Sequence, residues 1–174
     1  LWHSKTWPAW SKIHKSVYHE EEAVWVSDYL LEDAVKWAHE APGIIWTEHV
    51  TVGERLSRLG KLPYYGGGEQ ASRDIIREDG SRSIVASVKA HYQGKNLQMF
   101  NRNLIVAMPS DGATCEQLVG RSHREGQKAD EVEVFMYQHT PELTEALVKA
   151  KAKARYIQET TGSHQKMVYA SWGF

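Results

Sequence analysis

The stretch SIVASV, residues 83–88, decides the fold because it is the clearest strand pattern in the chain. It lacks the polar alternation of a strand with one face in water, so burial on both faces is predicted. Four other stretches have the same strand character: residues 43–47 (GIIWT), 62–65 (LPYY), 103–108 (NLIVAM) and 132–137 (VEVFMY). Five or six strands are therefore expected, each buried between other layers of the protein.

Helical patterns separate these strands. They cover residues 27–40, 51–59, 69–78, 114–121 and 140–160, and a shorter helix is expected from residue 163. Two of the helix starts carry a capping box, Thr51 with Glu54 and Thr114 with Gln117. The alternation predicts an α/β fold of three layers, αβα, around a mainly parallel sheet of five to six strands. In such sheets the functional loops are expected at the carboxyl ends of the strands.

Size and charge set limits on the function. The 174 residues suffice for one domain, and the shares of hydrophobic (41%) and charged (25%) residues are those of an ordinary globular protein. The net charge of −1 attracts no nucleic acid to the surface as a whole, so such binding needs a local patch. Residues 1–22 are expected to be a linker or the remnant of a preceding region, and residues 23–174 the domain. Residue 1 is not methionine, which is consistent with a piece of a longer protein.

Several kinds of site and location are not expected. Cys115 is the only cysteine, so neither a disulfide nor a cysteine-rich zinc site can form within the chain. The nine histidines show no metal-ligand spacing, and no metal site is predicted. No apolar run reaches the roughly 20 residues that cross a bilayer, and the first residues lack the apolar region of a signal peptide. No membrane association is therefore expected, and a cytoplasmic location, or a nuclear one in a eukaryote, is expected instead of secretion.

Residues 116–127, EQLVGRSHREGQ, are the most informative about function. Arg121 and Arg124 are three positions apart, so they share a face if the helix continues that far. Two guanidinium groups on one face suit a polyphosphate, because each is a permanently charged fork of several donors. Gln117, one turn earlier, adds a neutral amide. The alternative from these residues alone is a solvated basic helix end that needs no ligand.

This pattern resembles motif VI of the Swi/Snf-type branch of the superfamily-two helicases. The matching positions are Gln117, Gly120, Arg121, His123, Arg124, Gly126 and Gln127. Upstream, residues 94–98 (GKNLQ) resemble motif V of the same family, and residues 43–47 and 62–68 resemble motif IV and the strand and loop after it. The resemblance covers residues 43–138 and implies the RecA-like fold of a helicase C-terminal lobe.

In that family, ATP lies in a cleft between two RecA-like lobes, and DNA lies across both. The resemblance implies that Arg121 and Arg124 are arginine fingers facing the γ-phosphate, and that Gln117 helps to position the nucleotide or the attacking water. The other implied site residues are Gly94, Asn96 and Gly120 for the nucleotide, and Ser87, Lys89 and Gln98 for the DNA backbone. ATP and magnesium would be bound mainly by the first lobe.

A phosphate-binding loop of the form G-x-x-x-x-G-K-[ST] is missing from the sequence. No ATPase activity is therefore expected of this chain alone. The leading hypothesis is the second motor lobe of an ATP-dependent DNA helicase or translocase, with the N-terminal RecA-like lobe in the same parent chain or on a partner. Two alternatives stay open: a non-catalytic module of this fold that binds nucleic acid or regulates a motor, and an unrelated α/β domain whose arginines are structural.

Overall fold

The computed structural model describes residues 6–14, 16, 24–107, 109 and 111–173. The strands are β1 (Ile44–Thr47), β2 (Tyr64–Tyr65), β3 (Ile84–Ser87), β4 (Arg102–Ile105) and β5 (Glu133–Met136). The helices are α1 (Trp7–Ile13), α2 (Tyr29–Glu40), α3 (Val50–Gly60), α4 (Glu69–Asp74), α5 (Val88–His91), α6 (Gly112–Val119), α7 (Pro141–Thr161) and α8 (Lys166–Tyr169). A short 3-10 helix, Ile75–Arg77, continues α4.

The five strands form one parallel sheet in the order β2-β3-β1-β4-β5. Ile44 of the central strand is in register with Ile84 of β3 and with Asn103 of β4, so these residues mark the amino ends of the central strands. At the carboxyl ends, Thr47 is opposite Ser87. Helices flank the sheet, and the predicted α/β fold with a parallel sheet is confirmed.

Alternate residues of β1 enter two separate cores. Ile44 and Trp46 belong to a core that also contains residues of α6, α7 and α8. Ile45, between them, packs in a second core with residues of α2 and α3. Burial on both faces is thus confirmed for β1 and β3. It is wrong for β5, whose residues alternate between exposed and half-buried, because this strand lies at the sheet edge with a neighbour on one side only.

Both predicted capping boxes are wrong. Helix α3 begins at Val50, so Thr51 lies inside its first turn and does not precede it. Helix α6 begins two residues before Thr114, and the carboxylate of Asp111 accepts hydrogen bonds from the Thr114 backbone N–H at 3.0 Å and from its hydroxyl at 2.8 Å. Aspartate is the better cap here because its oxygen satisfies an N–H of the first turn that has no partner within the helix.

The predicted linker, residues 1–22, lies largely outside the described residues. Within it the chain forms α1, none of whose residues is buried. The domain boundary at residue 23 stays a prediction. Helix α5, which follows β3 directly, had no counterpart among the predicted elements. In the described part of the chain, no helix combines the length and apolar character needed to cross a bilayer.

Candidate functional site

The two arginines lie on a loop after α6. The helix ends at Val119, and the backbone N–H groups of Arg121 and Ser122 bond to the carbonyls three residues earlier, at 3.0 and 3.3 Å. Three-residue bonds tighten the chain and end the α-helical geometry. The helix thus ends two residues before its predicted end at residue 121, and the condition for a shared helix face of the two arginines is not met. We call residues 120–127 the arginine loop.

Arg121 is buried, with only 7% of its surface exposed. Its Nε donates to the carbonyl of Gln117 at 2.8 Å, and its Nη1 donates to the carbonyl of Lys95 at 3.0 Å. In return, the carbonyl of Arg121 accepts from the backbone N–H of Leu97 at 3.1 Å. Burial, together with the charge of Arg124, lowers the pKa of Arg121, yet a guanidinium keeps its charge at neutral pH.

Arg124 is exposed. Its Nε donates to the carbonyl of Gly120 at 2.8 Å, and no described residue accepts a hydrogen bond from its two Nη atoms. Burial is the main cause of the lowered pKa of Arg121, and the charge of Arg124 adds to it. A second positive charge near the first favours an anion, because an anion relieves their mutual repulsion. The arginine loop therefore has the donor set for a phosphate group.

A set of buried polar side chains lies under the arginine loop. Asn103 and Ser122 are both completely buried. The Oδ1 of Asn103 accepts from Trp46 Nε1 and from Ser122 Oγ, each at 3.1 Å. Gln127 adds two bonds from its Nε2, to the carbonyls of Phe100 at 3.0 Å and Ser122 at 3.2 Å. The loop is thus fastened to the sheet by side chains, without regular structure of its own.

The arginine loop lies beside the amino end of β4. Ser122 contacts Asn103, which is level with Ile44 at the start of β1. The expectation that the functional loops gather at the carboxyl ends is therefore wrong for the arginine pair. The reason is that α6 runs back from the carboxyl edge of the sheet, so the loop that follows it comes out at the opposite edge.

The segment that resembles motif V, residues 94–98, runs alongside the arginine loop. Gly94 has a left-handed backbone with φ +70°, and both Gly94 and Asn96 are exposed. Gln98 lies against Gly126, since a Cβ added to that glycine would come within 2.6 Å of the Gln98 Nε2. The structure therefore brings Gly94, Asn96 and Gln98 to the same side of the domain as the arginines.

An open groove of about 1060 Å³ lies at the carboxyl ends of β1, β2 and β3. We call it the carboxyl-end groove. Its cations are Arg73, Lys89 and Lys95, and its carboxylates are Glu48 and Glu69. Its other walls include His49, Ser87, Gly67, Gly68 and Ser72. Arg73 is paired with Glu69 at 3.2 Å, and Lys95 donates to the carbonyl of Ser72 at 3.4 Å. Ser87 and Lys89 thus share this groove, whereas Gln98 lies with the arginine loop.

Thr47 is a buried polar residue that the sequence reasoning missed. It ends β1 opposite Ser87, with 1% of its surface exposed. Its Oγ1 has no hydrogen-bond partner among the described residues, although a buried hydroxyl ordinarily has one. Only its place at the end of a buried strand could have drawn attention to it. Arg73 and Lys95 were missed as well, because their contribution depends on how α4 and the loop after α5 meet.

No group of three or more histidine, cysteine, aspartate or glutamate side chains in the described residues is arranged to hold a metal ion. The arginine loop and the carboxyl-end groove offer cationic and neutral donors instead. Lys95 takes part in both, since its side chain lines the groove and its carbonyl accepts from Arg121. The two candidate sites are therefore joined by one residue.

Two solved structures are similar to this fold. One is the C-terminal part of the Fun30 ATPase domain, with a TM-score of 0.52 and 19% sequence identity; the match covers 75% of this chain and 47% of that one. The other is the Mycobacterium smegmatis helicase Lhr bound to single-stranded DNA and AMP-PNP, with a TM-score of 0.53 and 16% identity; the match covers 79% of this chain and 20% of that one. No protein-family model and no curated protein matches the sequence. At these identities the likeness shows the fold alone, which is RecA-like, and the chain spans less than half of each solved chain it matches.

Proposed function

We propose that this chain is the second motor lobe of an ATP-dependent DNA helicase or translocase of the Swi/Snf type. The observation that carries the proposal is the junction between the two loops: Arg121 donates to Lys95, and Leu97 donates to Arg121. A motor needs a link between nucleotide hydrolysis and movement on DNA. Here the segment beside the arginines is also a wall of the carboxyl-end groove. His123, followed by Gly126 and Gln127, favours the Swi/Snf branch.

In this proposal Arg124 is the main arginine finger. Its exposed guanidinium has donors to spare, and it would stabilise charge on the transferred phosphoryl group of a nucleotide held by the other lobe. Magnesium, bound with ATP mainly by that lobe, would neutralise phosphate charge. Arg121 adds its positive charge from a buried position and holds the two loops in register.

Residues close to the two arginines would complete the nucleotide-binding part of the site. Gln117 and Gly120 carry the carbonyls that orient the two guanidinium groups, through bonds of 2.8 Å each. The side-chain amide of Gln117 would position the nucleotide or the attacking water. Gly94 and Asn96, exposed beside the arginine loop, would line the same cleft.

The carboxyl-end groove would contact the DNA backbone. Lys89 and Arg73 supply charge for phosphates, and Ser87 supplies a neutral donor near the strand ends. Contacts of this kind hold the strand without reading its sequence. Gln98 would act from the side of the arginine loop. The similar Lhr structure contains single-stranded DNA, which makes DNA the ligand to test first.

A second candidate function is a non-catalytic module of the same fold, which binds nucleic acid or regulates a motor. One observation favours it: Arg121, half of the arginine pair, already has backbone carbonyls as partners within the domain. Such a module would bind DNA in the carboxyl-end groove with no contribution from Arg124.

An ATPase measurement on two joined lobes separates the candidates. A RecA-like lobe that carries a phosphate-binding loop is joined to this chain, and phosphate release is measured with and without single-stranded DNA. We expect Arg124→Ala to lower kcat by about 10³-fold or more. Arg58→Ala, which removes an exposed arginine on α3, is the matched control and should leave kcat unchanged. Normal turnover with Arg124→Ala would exclude the motor role, and DNA binding that persists without any ATPase would support the module.

A further inference from the structure

We propose that Asn103 and Ser122 are positioning residues, which hold the arginine loop in the shape that presents Arg124 to a nucleotide. The inference rests on the function proposed above. It starts from a feature which that function leaves unexplained, namely a set of polar side chains buried completely at the amino end of β4. Burying polar groups in a core costs free energy unless they are hydrogen-bonded. Apolar side chains at these positions would avoid that cost.

The contacts at Asn103 join three parts of the fold. Its Oδ1 accepts from Trp46 of β1 and from Ser122 of the arginine loop, both at 3.1 Å. Asn103 itself belongs to β4, which pairs with β1. Ser122 is therefore tied to the two central strands of the sheet, the most rigid part of a fold of this kind.

Ser122 lies between the two arginines in the chain and bonds directly to the second, whereas Arg121 is held by its own bonds to the carbonyls of Gln117 and Lys95. The carbonyl of Ser122 accepts from the backbone N–H of Arg124 at 3.1 Å and from Gln127 Nε2 at 3.2 Å. Its hydroxyl holds the other side of the residue against Asn103. Because the loop has no strand or helix of its own, these bonds determine where the Arg124 side chain leaves the backbone.

A positioning residue affects catalysis because it orients the Arg124 side chain. It changes neither the charge of the site nor its affinity for the nucleotide. A misplacement on the order of 1 Å can slow a reaction considerably while ground-state binding is retained. If Ser122 only fills the core, its removal lowers stability and leaves kcat as it was. The two roles therefore differ in kcat measured at saturating ATP.

The first test uses Ser122→Ala in the joined two-lobe ATPase. We expect kcat to fall about tenfold while the KM for ATP stays within about twofold. Ser83→Ala is the matched control, since Ser83 is also buried and its hydroxyl donates to the carbonyl of Ala38 at 2.6 Å and accepts from the N–H of Gly43 at 3.1 Å, away from the loop. An unchanged kcat in Ser122→Ala, or an equal fall in Ser83→Ala, would overturn the inference. Ser122→Thr, which keeps the hydroxyl, should restore most of the rate.

Two further measurements separate this inference from the proposed function. In an Arg124→Ala background, Ser122→Ala should lower kcat no further, because Ser122 acts through Arg124. An additional tenfold loss would contradict the positioning role of Ser122.

If Arg124→Ala leaves turnover normal, the proposed function fails, and the loop is then examined by hydrogen exchange on this chain alone. We expect the amides of Leu97, Arg124 and Gln127 to exchange about fivefold to tenfold faster in Ser122→Ala than in the wild type. Unchanged exchange would show that Ser122 does not hold the loop.

Discussion

The Arg121 side chain and the Lys95 backbone meet through one hydrogen bond of 3.0 Å, and this bond connects the arginine loop to a wall of the carboxyl-end groove. Lys95 turns its ammonium toward the groove, where it reaches the carbonyl of Ser72, and turns its carbonyl toward Arg121. Displacement of either loop therefore changes the position of the other. The bond is charge-assisted and partly buried, and a hydrogen bond from a charged donor is stronger than one between neutral groups.

Arg121→Lys should destabilise the domain although it keeps the charge. A lysine cannot donate to the carbonyls of Gln117 and Lys95 in the same geometry, since it lacks the planar fork. We expect the free energy of unfolding to fall by about 1–3 kcal/mol, as measured by urea denaturation. Arg58→Lys, at an exposed position of α3, should change it by less than about 0.5 kcal/mol. Equal stability of Arg121→Lys and the wild type would show that the two carbonyl bonds contribute little.

Gly126 and Gly94 allow backbone strain to be separated from packing. Both have positive φ, +91° and +70°, so alanine at either position should cost about 1 kcal/mol of unfolding free energy. A Cβ on Gly94 meets no atom within 4 Å, whereas one on Gly126 must displace the Gln98 side chain. Gly126→Ala should therefore be the more destabilising of the two in thermal or urea unfolding. Adding Gln98→Ala should remove the difference; if it persists, Gln98 is not its cause.

His91 should make the domain less stable in mild acid. The side chain is completely buried, and its Nε2 donates to the carbonyl of Gly66 at 2.8 Å. Burial lowers the pKa of His91 below its ordinary 6.5, and the charge of Lys95 adds to the effect, against the hydrogen bond to Gly66. As pH falls below 6.5 the unfolded chain takes up a proton that the folded one resists, so stability decreases by up to about 1.4 kcal/mol per pH unit.

The measurement is urea unfolding between pH 5 and 7.5. Carboxylates with lowered pKa values, such as Glu78 and Asp111, titrate below this window. His91→Gln keeps a donor for Gly66 and removes the titration, so its stability should depend less on pH than that of the wild type. An identical pH dependence of the two proteins would assign the effect to other groups.

Lys89→Ala should weaken binding of single-stranded DNA and reduce its dependence on salt. Lys89 is exposed in the carboxyl-end groove, where it would release about one counterion on contact with a phosphate. Fluorescence anisotropy with a labelled oligonucleotide should show a slope of log K against log salt that is smaller by about 0.7. Lys36→Ala, an exposed lysine on α2, should leave the slope unchanged. The same slope for both variants would indicate that DNA binds to another surface of the domain.

The layers of the fold were predictable from residue patterns, because short stretches without polar alternation, such as residues 83–88, recur between helical patterns as buried parallel strands do. The end of α6 was not. Its last bonds close over three residues, and they are accompanied by a bond from Leu97, more than twenty positions upstream. Local spacing carries no information about such a contact, so it could not tell whether the helix would continue far enough to give Arg121 and Arg124 a shared face.

The candidate site, like the fold, was predictable from the sequence only in part. Motif spacing singled out Gln117, Arg121 and Arg124, and the structure brings the arginine loop together with residues 94–98. The buried partner Asn103 was read only as the first residue of a strand, because its role depends on Trp46, 57 positions earlier. Arg73 became a candidate only when the ends of several strands and helices met at one groove. The proposed site residues could be named from the sequence, and the buried side chains that support them could not.

The central position of β1 has a consequence for how the chain is made. Ile44 pairs with residues 40 and 59 positions later in the chain. Contacts between distant parts of a chain form slowly, since much conformational freedom is lost before they are gained. On the ribosome, the apolar stretch Ile44–Thr47 therefore stays without strand partners until β3 and then β4 have been synthesised. A nascent chain stalled before β4 would expose that stretch as an apolar strand edge with unpaired backbone groups. A chaperone would be expected to bind there.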